Sequence, residues 1–381
     1  MSGDGTRFTR AALTAAAALV AACGGGAPVE QVEPGYTWVL PQGFPVPEVP
    51  ADNPMSAAKV ELGRRLFYDV RLSGNQTFSC GSCHRQDLAF SDGRARGLGS
   101  TGMLHPRGPQ QLANLAYFNA FTWANSVVPS LEVQALVPMT GSDPIELGIS
   151  GMDETVAARL LADPAYLPLF RASFPGQVPL VTYPNIARAI ASFERTLVSG
   201  NSPYDRYQRG DATALTAPAR RGMDLFFSDR LGCARCHSGL AFTDAASTPG
   251  APGNPFPFHN IGLYDLDGRG AYPADGTGLE ALTFRPEDMG RFRTPPLRNI
   301  AVTAPYMHDG SVATLSEVID VFAAGGRARM QSGVASPLQS PLVRPFSLSA
   351  GEKEDLLAFL EALTDEEFLR DPSFSDPFAP R

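Results

Sequence analysis

Apolar positions recur along this chain at helical rather than strand spacing. Between residues 185 and 198, Ile186, Ile190, Phe193 and Leu197 fall on one face. Thr314 and Glu317 make a T-x-x-E capping box. The helix it opens carries Leu315, Val318, Ile319 and Phe322 on one side before Gly325 and Gly326 stop it. Ser349 and Glu352 repeat the device ahead of Leu356, Leu357, Leu360 and Leu363. No sustained apolar–polar alternation appears, so the pattern predicts a mainly α fold. Long Pro- and Gly-rich stretches, residues 247–258 and 263–280, separate the helices. Loops of this length are usually functional.

The pattern occurs twice. The first half reads G-R-R-L-F-Y-D from Gly63, then Arg71 and Leu72, then C-G-S-C-H from Cys80, then A-F-S-D from Ala89. The second half reads G-M-D-L-F-F-S-D-R-L from Gly222, then C-A-R-C-H from Cys233, then A-F-T-D from Ala241. The shared order predicts two related domains, residues 41–205 and 206–381. They meet in a polar stretch between Gly200 and Thr216.

The beginning of the chain reads as targeting sequence. Arg7 and Arg10 precede an apolar run from Ala11 to Ala22 that ends in V-A-A-C at Cys23. Residues 1–22 are expected to be a lipoprotein-type signal peptide, leaving Cys23 as the lipidated first residue of an envelope protein. An ordinary secretory signal is the alternative. Residues 23–40, rich in Gly and Pro at their start, are expected to be a flexible tether. No other segment is apolar for the roughly 18 residues a membrane span needs. Net charge is -8 and no basic run appears, which excludes nucleic acid as a natural partner.

Five cysteines are present. Without Cys23, four remain in two C-x-x-C pairs, Cys80 with Cys83 and Cys233 with Cys236, and each pair is followed at once by His84 or His237. In an exported bacterial chain, C-x-x-C-H reads as c-type haem attachment. Two thioethers hold the porphyrin, and the adjacent imidazole becomes the proximal iron ligand. Two disulfides or a zinc site are the alternatives, and zinc would need four ligands within reach. Two haems make either an electron carrier with both irons saturated or an enzyme with one iron open. Only His105, His259 and His308 remain as spare imidazoles, which favours an open iron.

These motifs carry a family resemblance. Trp123, the run L-E-V-Q-A-L-V-P from Leu131, P-I-E-L-G from Pro144, and R-T-P-P-L-R-N-I-A-V-T-A-P-Y-M-H-D-G-S-V-A-T-L from Arg293 resemble the bacterial di-haem cytochrome c peroxidase/MauG family. The resemblance runs from about residue 40 to 377. The segments D-N-P-M-S-A-A-K-V-E-L-G from Asp52, H-P-R from His105, T-W-A-N from Thr122, S-P-Y-D-R from Ser202 and F-H-N-I-G-L-Y from Phe258, with the tail 365–377, look closest to its methanobactin-associated MauG-like branch, the MbnH group. The resemblance implies two cytochrome-c-like helical domains, each with one covalent haem, the first reacting with peroxide and the second transferring electrons.

It also implies roles. Glu146 matches the acid–base carboxylate beside the open N-terminal haem, and Gln134 and Pro138 match other positions of that pocket. The stretch between Gln134 and Glu146 is longer than the family's usual one. Trp123 matches the indole that relays electrons between the haems. His105 is expected not to ligate iron, and His259 and His308 are expected to make structural hydrogen bonds. The sixth ligand of the C-terminal haem, Met or Tyr in the family, falls on Phe322, which cannot ligate. That iron is then five-coordinate, or takes water, Met307 or Met330. A calcium ion between the domains would use the carbonyls of Thr303 and Pro305, but the family's Asn ligand falls on Gly108.

The implied function is peroxide-driven oxidation of a residue on a partner protein, in this branch a tryptophan on a copper-binding partner that is converted to kynurenine. The alternatives are a cytochrome c peroxidase fed by a small cytochrome and a non-catalytic di-haem electron carrier.

Overall fold

The computed structural model describes residues 29–33 and 35–379. The expected signal peptide and Cys23 lie outside the described residues. Among the described residues no helix is long and apolar enough to cross a membrane.

The helices, in chain order, are α1 (Ala57–Tyr68), α2 (Cys80–Cys83), α3 (Leu131–Thr140), α4 (Asp153–Leu161), α5 (Tyr166–Ser173), α6 (Tyr183–Glu194), α7 (Pro203–Gln208), α8 (Ala217–Phe226), α9 (Glu280–Thr283), α10 (Leu315–Ala323), α11 (Arg327–Ser332) and α12 (Ala350–Glu361). Both expected capping boxes form, at Thr314 before α10 and Ser349 before α12. Two small antiparallel sheets are added: β1 (Val29–Glu33) with β2 (Tyr36–Leu40), and β3 (Phe258–His259) with β4 (Phe292–Arg293).

The duplicated sequence builds the same helix crossing twice. A Cβ on Gly63 would lie 1.9 Å from the carbonyl oxygen of Ala189, so α1 and α6 touch backbone to backbone. A Cβ on Gly222 would lie 1.9 Å from the carbonyl oxygen of Asp355, and α8 meets α12 in the same way. The paired Leu-Phe motifs then place equivalent rings. Phe67 lies 5.3 Å from Phe193 and 6.0 Å from Phe90. Phe226 lies 5.2 Å from Phe359 and 6.0 Å from Phe242. Each crossing is the floor of its own apolar core, giving two cytochrome-c-like helical units.

The units are tied together by buried polar contacts. The backbone N–H groups of Gly200 and Asn201 donate to the Asp365 carboxylate at 2.9 and 2.8 Å. Arg298 holds Asp205 through two buried hydrogen bonds of 2.7 and 2.9 Å. The start of the polar stretch expected at the domain junction is therefore buried and pinned rather than exposed. After Asp365 the chain returns to the first unit. Phe368 packs on Phe90, and the Tyr68 hydroxyl donates to Phe374 O at 2.8 Å.

Part of the expected tether is ordered. Residues 29–33 pair with 36–40, from Val29 opposite Leu40 to Glu33 opposite Tyr36. The short alternation Tyr36, Trp38, Leu40 sends Trp38 and Leu40 into a core with Phe44, Met55 and Tyr117, while Val39 faces solvent. Three inward positions are too few to register as a strand among helical patterns, and Gly35, at φ +88°, closes the turn.

Gly63→Ala and Gly222→Ala are each expected to destabilise the protein by about 1–3 kcal/mol through overpacking. Gly351→Ala, which meets nothing within 4 Å, should cost nothing. Denaturant titration of the three variants checks this.

Candidate functional site

Each C-x-x-C-H motif forms a single tight turn. The His84 N–H donates to Cys80 O at 2.9 Å, and the His237 N–H donates to Cys233 O at 3.0 Å. All four cysteines are free thiols, which sets aside the disulfide reading. Among the described residues no group of three or more His, Cys, Asp or Glu side chains converges on a metal position, which sets aside zinc.

Both imidazoles are then oriented by the motif that follows. His84 Nδ1 lies 2.6 Å from Phe90 O, and His237 Nδ1 lies 3.1 Å from Phe242 O. A carbonyl can only accept, so each Nδ1 carries the proton and each Nε2 keeps its lone pair for a metal. Burial lowers both histidine pKa values, favouring the neutral ligand form. The two carbonyls are aimed by an unusual backbone. Phe90 and Phe242 sit at φ +64° and +53°, a region that costs an L-residue roughly 1–2 kcal/mol. Both rings are buried in their cores, which contributes about 1.5–3 kcal/mol each and offsets the strain. The repeated A-F-(S/T)-D motif is thus the device that aims the histidine.

Around His237 lies a cavity of about 250 Å³, walled by Cys233, Cys236, Phe226, Ile319, Met307 and Phe322, among others. In a close-packed interior a void of this size is a ligand cradle. Arg293 lines it, is 1% exposed, and leaves Nε and Nη1 without partners. Desolvation pushes its pKa down to about 9. A buried guanidinium with unmet donors calls for an anion, and the haem carboxylates are the anions a c-type cofactor would bring. Free thiols, a poised imidazole and an unsatisfied arginine on one apolar cavity fit a covalent haem. Arg293 had no role in the sequence reading, because an arginine inside a family motif carries no outward sign of burial.

Phe322 faces this cavity from α10 beside Val318 and Ile319, as its helical position predicts. Met307 also lines it, at φ +72°. Met330 does not: it sits on α11, 56% exposed, and is removed as a candidate ligand. Trp123 forms part of the wall, with segments 91–94 and 108–111 of the first half. Its Nε1–H donates to Gly108 O at 2.8 Å, and its own carbonyl accepts from the Arg293 N–H at 2.8 Å, so the indole is fixed. Thr303 and Pro305 border the same cavity as Gly108.

The other half carries the residues expected to handle protons. Glu146 lies on a loop tied to α3, with the Leu147 N–H donating to Pro138 O at 2.9 Å. The Ser100 N–H donates to Glu146 O at 2.7 Å. Gly99 permits that approach, since a Cβ there would fall 1.9 Å from Ile145 O. Gln134 sits one turn before Pro138, partly buried, and no hydrogen bond joins it to Glu146 among the described residues. Desolvation by surrounding protein raises the Glu146 pKa to about 7, although 39% of the side chain remains accessible to solvent.

His105 was set aside as a ligand, and the structure gives it a neighbour instead: Nε2 lies 3.9 Å from Glu146 Oε1. His105 Nδ1 lies 3.0 Å from the Arg107 N–H and 3.2 Å from the Arg107 carbonyl, so the backbone of residue 107 holds that edge of the ring and Nε2 points toward the carboxylate. His259 makes the expected structural hydrogen bond, with Nε2 2.8 Å from Asp244 Oδ2. His308 is held by stacking rather than by a side-chain hydrogen bond. Its ring lies 3.6 Å from Phe292 at 11°, and burial brings its pKa down to about 4.

Comparison with known proteins agrees with this geometry. The profile of the family described as di-haem cytochrome c peroxidase matches residues 57–213. The methylamine utilization protein MauG of Methylorubrum extorquens is 38% identical over 330 residues, 86% of this chain and 83% of the relative. The cytochrome-c peroxidase IdrP1 of Pseudomonas sp. is 38% identical over 356 residues, 88% of this chain and 89% of the relative. The crystal structure of a MauG-like protein associated with microbial copper homeostasis superposes with a TM-score of 0.85 at 48% identity, over 91% of this chain and 100% of that one.

Purified protein should keep two haems through denaturation, read by intact mass. The double variant Cys233→Ser, Cys236→Ser should keep one, with its second cofactor extractable into acidified organic solvent.

Proposed function

The chain belongs to the di-haem cytochrome c peroxidase/MauG family, and from that premise we propose that it is a di-haem oxidoreductase of the cell envelope that uses hydrogen peroxide to oxidise a tryptophan on a copper-binding partner protein. The observation that carries the peroxide half is the Glu146 carboxyl, poised near neutrality beside His105 in the first half of the chain. The similarity to the copper-homeostasis protein supports the choice of partner.

Cys80, Cys83 and His84 would hold a haem, whose iron would supply the redox chemistry on peroxide. The protein does the rest. Ionised Glu146 takes the proton from one peroxide oxygen and delivers it to the other, so that the departing oxygen leaves as water. His105 Nε2 faces the carboxylate across 3.9 Å. Gln134 and Pro138 complete the pocket in this reading. Trp123, rigid at the wall of the second cavity, relays electrons between the two halves, so a bulky substrate never needs to reach the first iron. Phe322 closes the second cavity with an apolar ring. A calcium ion on the Thr303 and Pro305 carbonyls belongs to the same reading. With Gly108 in place of a side-chain ligand it would bind weakly, with water filling in. Lipid attachment through Cys23 would hold the protein at a membrane surface.

A cytochrome c peroxidase is the second reading, favoured by the peroxidases among the relatives. Phe322 speaks against it, because a Met ligand is what raises the potential of an electron-accepting haem.

Glu146 acts as a base, so its ionised form is the active one. The rate of reaction with peroxide should be low below pH about 7 and rise through it. Glu146→Gln should remove that step and slow the reaction by roughly 10²–10⁴-fold, read by stopped-flow absorbance. With peroxide and the copper-binding partner, mass spectrometry should find oxygen added to one partner tryptophan. An unmodified partner, with efficient turnover of a reduced small cytochrome, would select the second reading.

A further inference from the structure

An aromatic pair leads from the wall of the second cavity to a partly exposed tyrosine. The Tyr272 ring lines the cavity and is 5% exposed. Its hydroxyl donates to Asn260 Oδ1 at 2.8 Å and accepts from the Leu263 N–H at 3.1 Å. Neither partner can take its proton. Edge-on to Tyr272, with ring centroids 5.4 Å apart, stands Tyr264. Tyr264 is partly exposed, and its hydroxyl donates to Asp309 Oδ2 at 2.5 Å. The Arg327 guanidinium lies over the Tyr264 ring, 5.3 Å from its centroid, and donates to Ser311 Oγ at 2.6 Å.

We propose that Tyr264 is the outermost redox relay of this enzyme, the point at which an oxidising equivalent leaves the second cavity for a partner protein. The inference rests on the peroxide-using function proposed above. Tyr272 and Tyr264 differ in what their protons can do. A phenol loses an electron far more easily when its proton can leave in the same step. Asn260 cannot accept a proton, whereas the Asp309 carboxylate can. Arg327 over the ring disfavours a phenol radical cation, so oxidation must be coupled to proton loss. The second phenol–carboxylate pair among the described residues, Tyr166 with Asp69, is enclosed, and Arg71 already holds that carboxylate, so it cannot meet an external donor.

Hydrogen peroxide takes two electrons from the partner and two protons from solvent and becomes two waters; the partner side chain, two electrons poorer, takes its added oxygen from water and releases two protons to solvent in return. For each electron, the Tyr264 O–H bond breaks, the electron passes inward across Tyr272, and the proton moves to Asp309. This leaves a neutral phenoxyl radical. A side chain of the partner then gives one electron to Tyr264, Asp309 returns the proton, and two such passes consume one peroxide. The partner's oxidised residue therefore docks over Tyr264.

The test is freeze-quench EPR of the full di-haem protein after mixing with hydrogen peroxide without partner. A tyrosyl signal is expected, narrowed when the tyrosines are ring-deuterated. Tyr264→Phe should abolish it while leaving the haem absorption change unchanged. Asp309→Asn should lower its yield by roughly a hundredfold, the scale of losing a positioned proton acceptor. A tyrosyl signal undiminished in Tyr264→Phe, or haems that react with peroxide while no tyrosyl signal forms, would overturn this inference alone. Haem absorption that does not change on adding peroxide would overturn the underlying function as well.

Discussion

A backbone carbonyl in each half of the chain decides which nitrogen of an imidazole carries a proton. Phe90 O and Phe242 O accept from the Nδ1–H of His84 and His237, and everything that depends on an iron follows from the lone pair this leaves on Nε2. The carbonyls can do so only because both phenylalanines adopt a left-handed backbone, and they hold it because their rings are buried against Phe67 and Phe226. Those rings are in place because Gly63 and Gly222 let two helices meet without a side chain between them. Helix crossing, ring, carbonyl and imidazole form one chain of cause, built twice.

On that symmetric frame the two halves diverge. The first sets a titratable pair, Glu146 and His105, in its half, with the Glu146 charge felt at the Cys80 and Cys83 thiols. The second surrounds its His with Phe322, Met307, Ile319 and other apolar groups, and admits one buried cation, Arg293. Trp123 stands at the wall of the second half's cavity, pinned at both its indole N–H and its carbonyl. The difference between the halves is written in side chains, since the backbone geometry is shared.

Much of this was legible in the sequence. The two C-x-x-C-H motifs and the repeat around them could be read directly, as could α6, α10 and α12, whose apolar faces run for several turns. The A-F-(S/T)-D motif was visible as a repeat, but its purpose was not, because a positive φ at Phe leaves no mark in composition. The β1–β2 hairpin was missed because it has only three inward positions beside a Gly- and Pro-rich stretch. The closeness of His105 to Glu146, 41 positions apart in the sequence, depends on a loop held by Gly99 and Pro138. The return of Phe368 to the first core is likewise a long-range event that local periodicity cannot announce.

The account depends most on the first iron being open to peroxide, with Glu146 and His105 near it rather than bound to it. Low-temperature EPR of the resting ferric protein counts high-spin and low-spin irons directly. A high-spin signal from the haem at His84, lost on adding cyanide, is the result expected. Two fully low-spin irons that ignore cyanide would contradict the account.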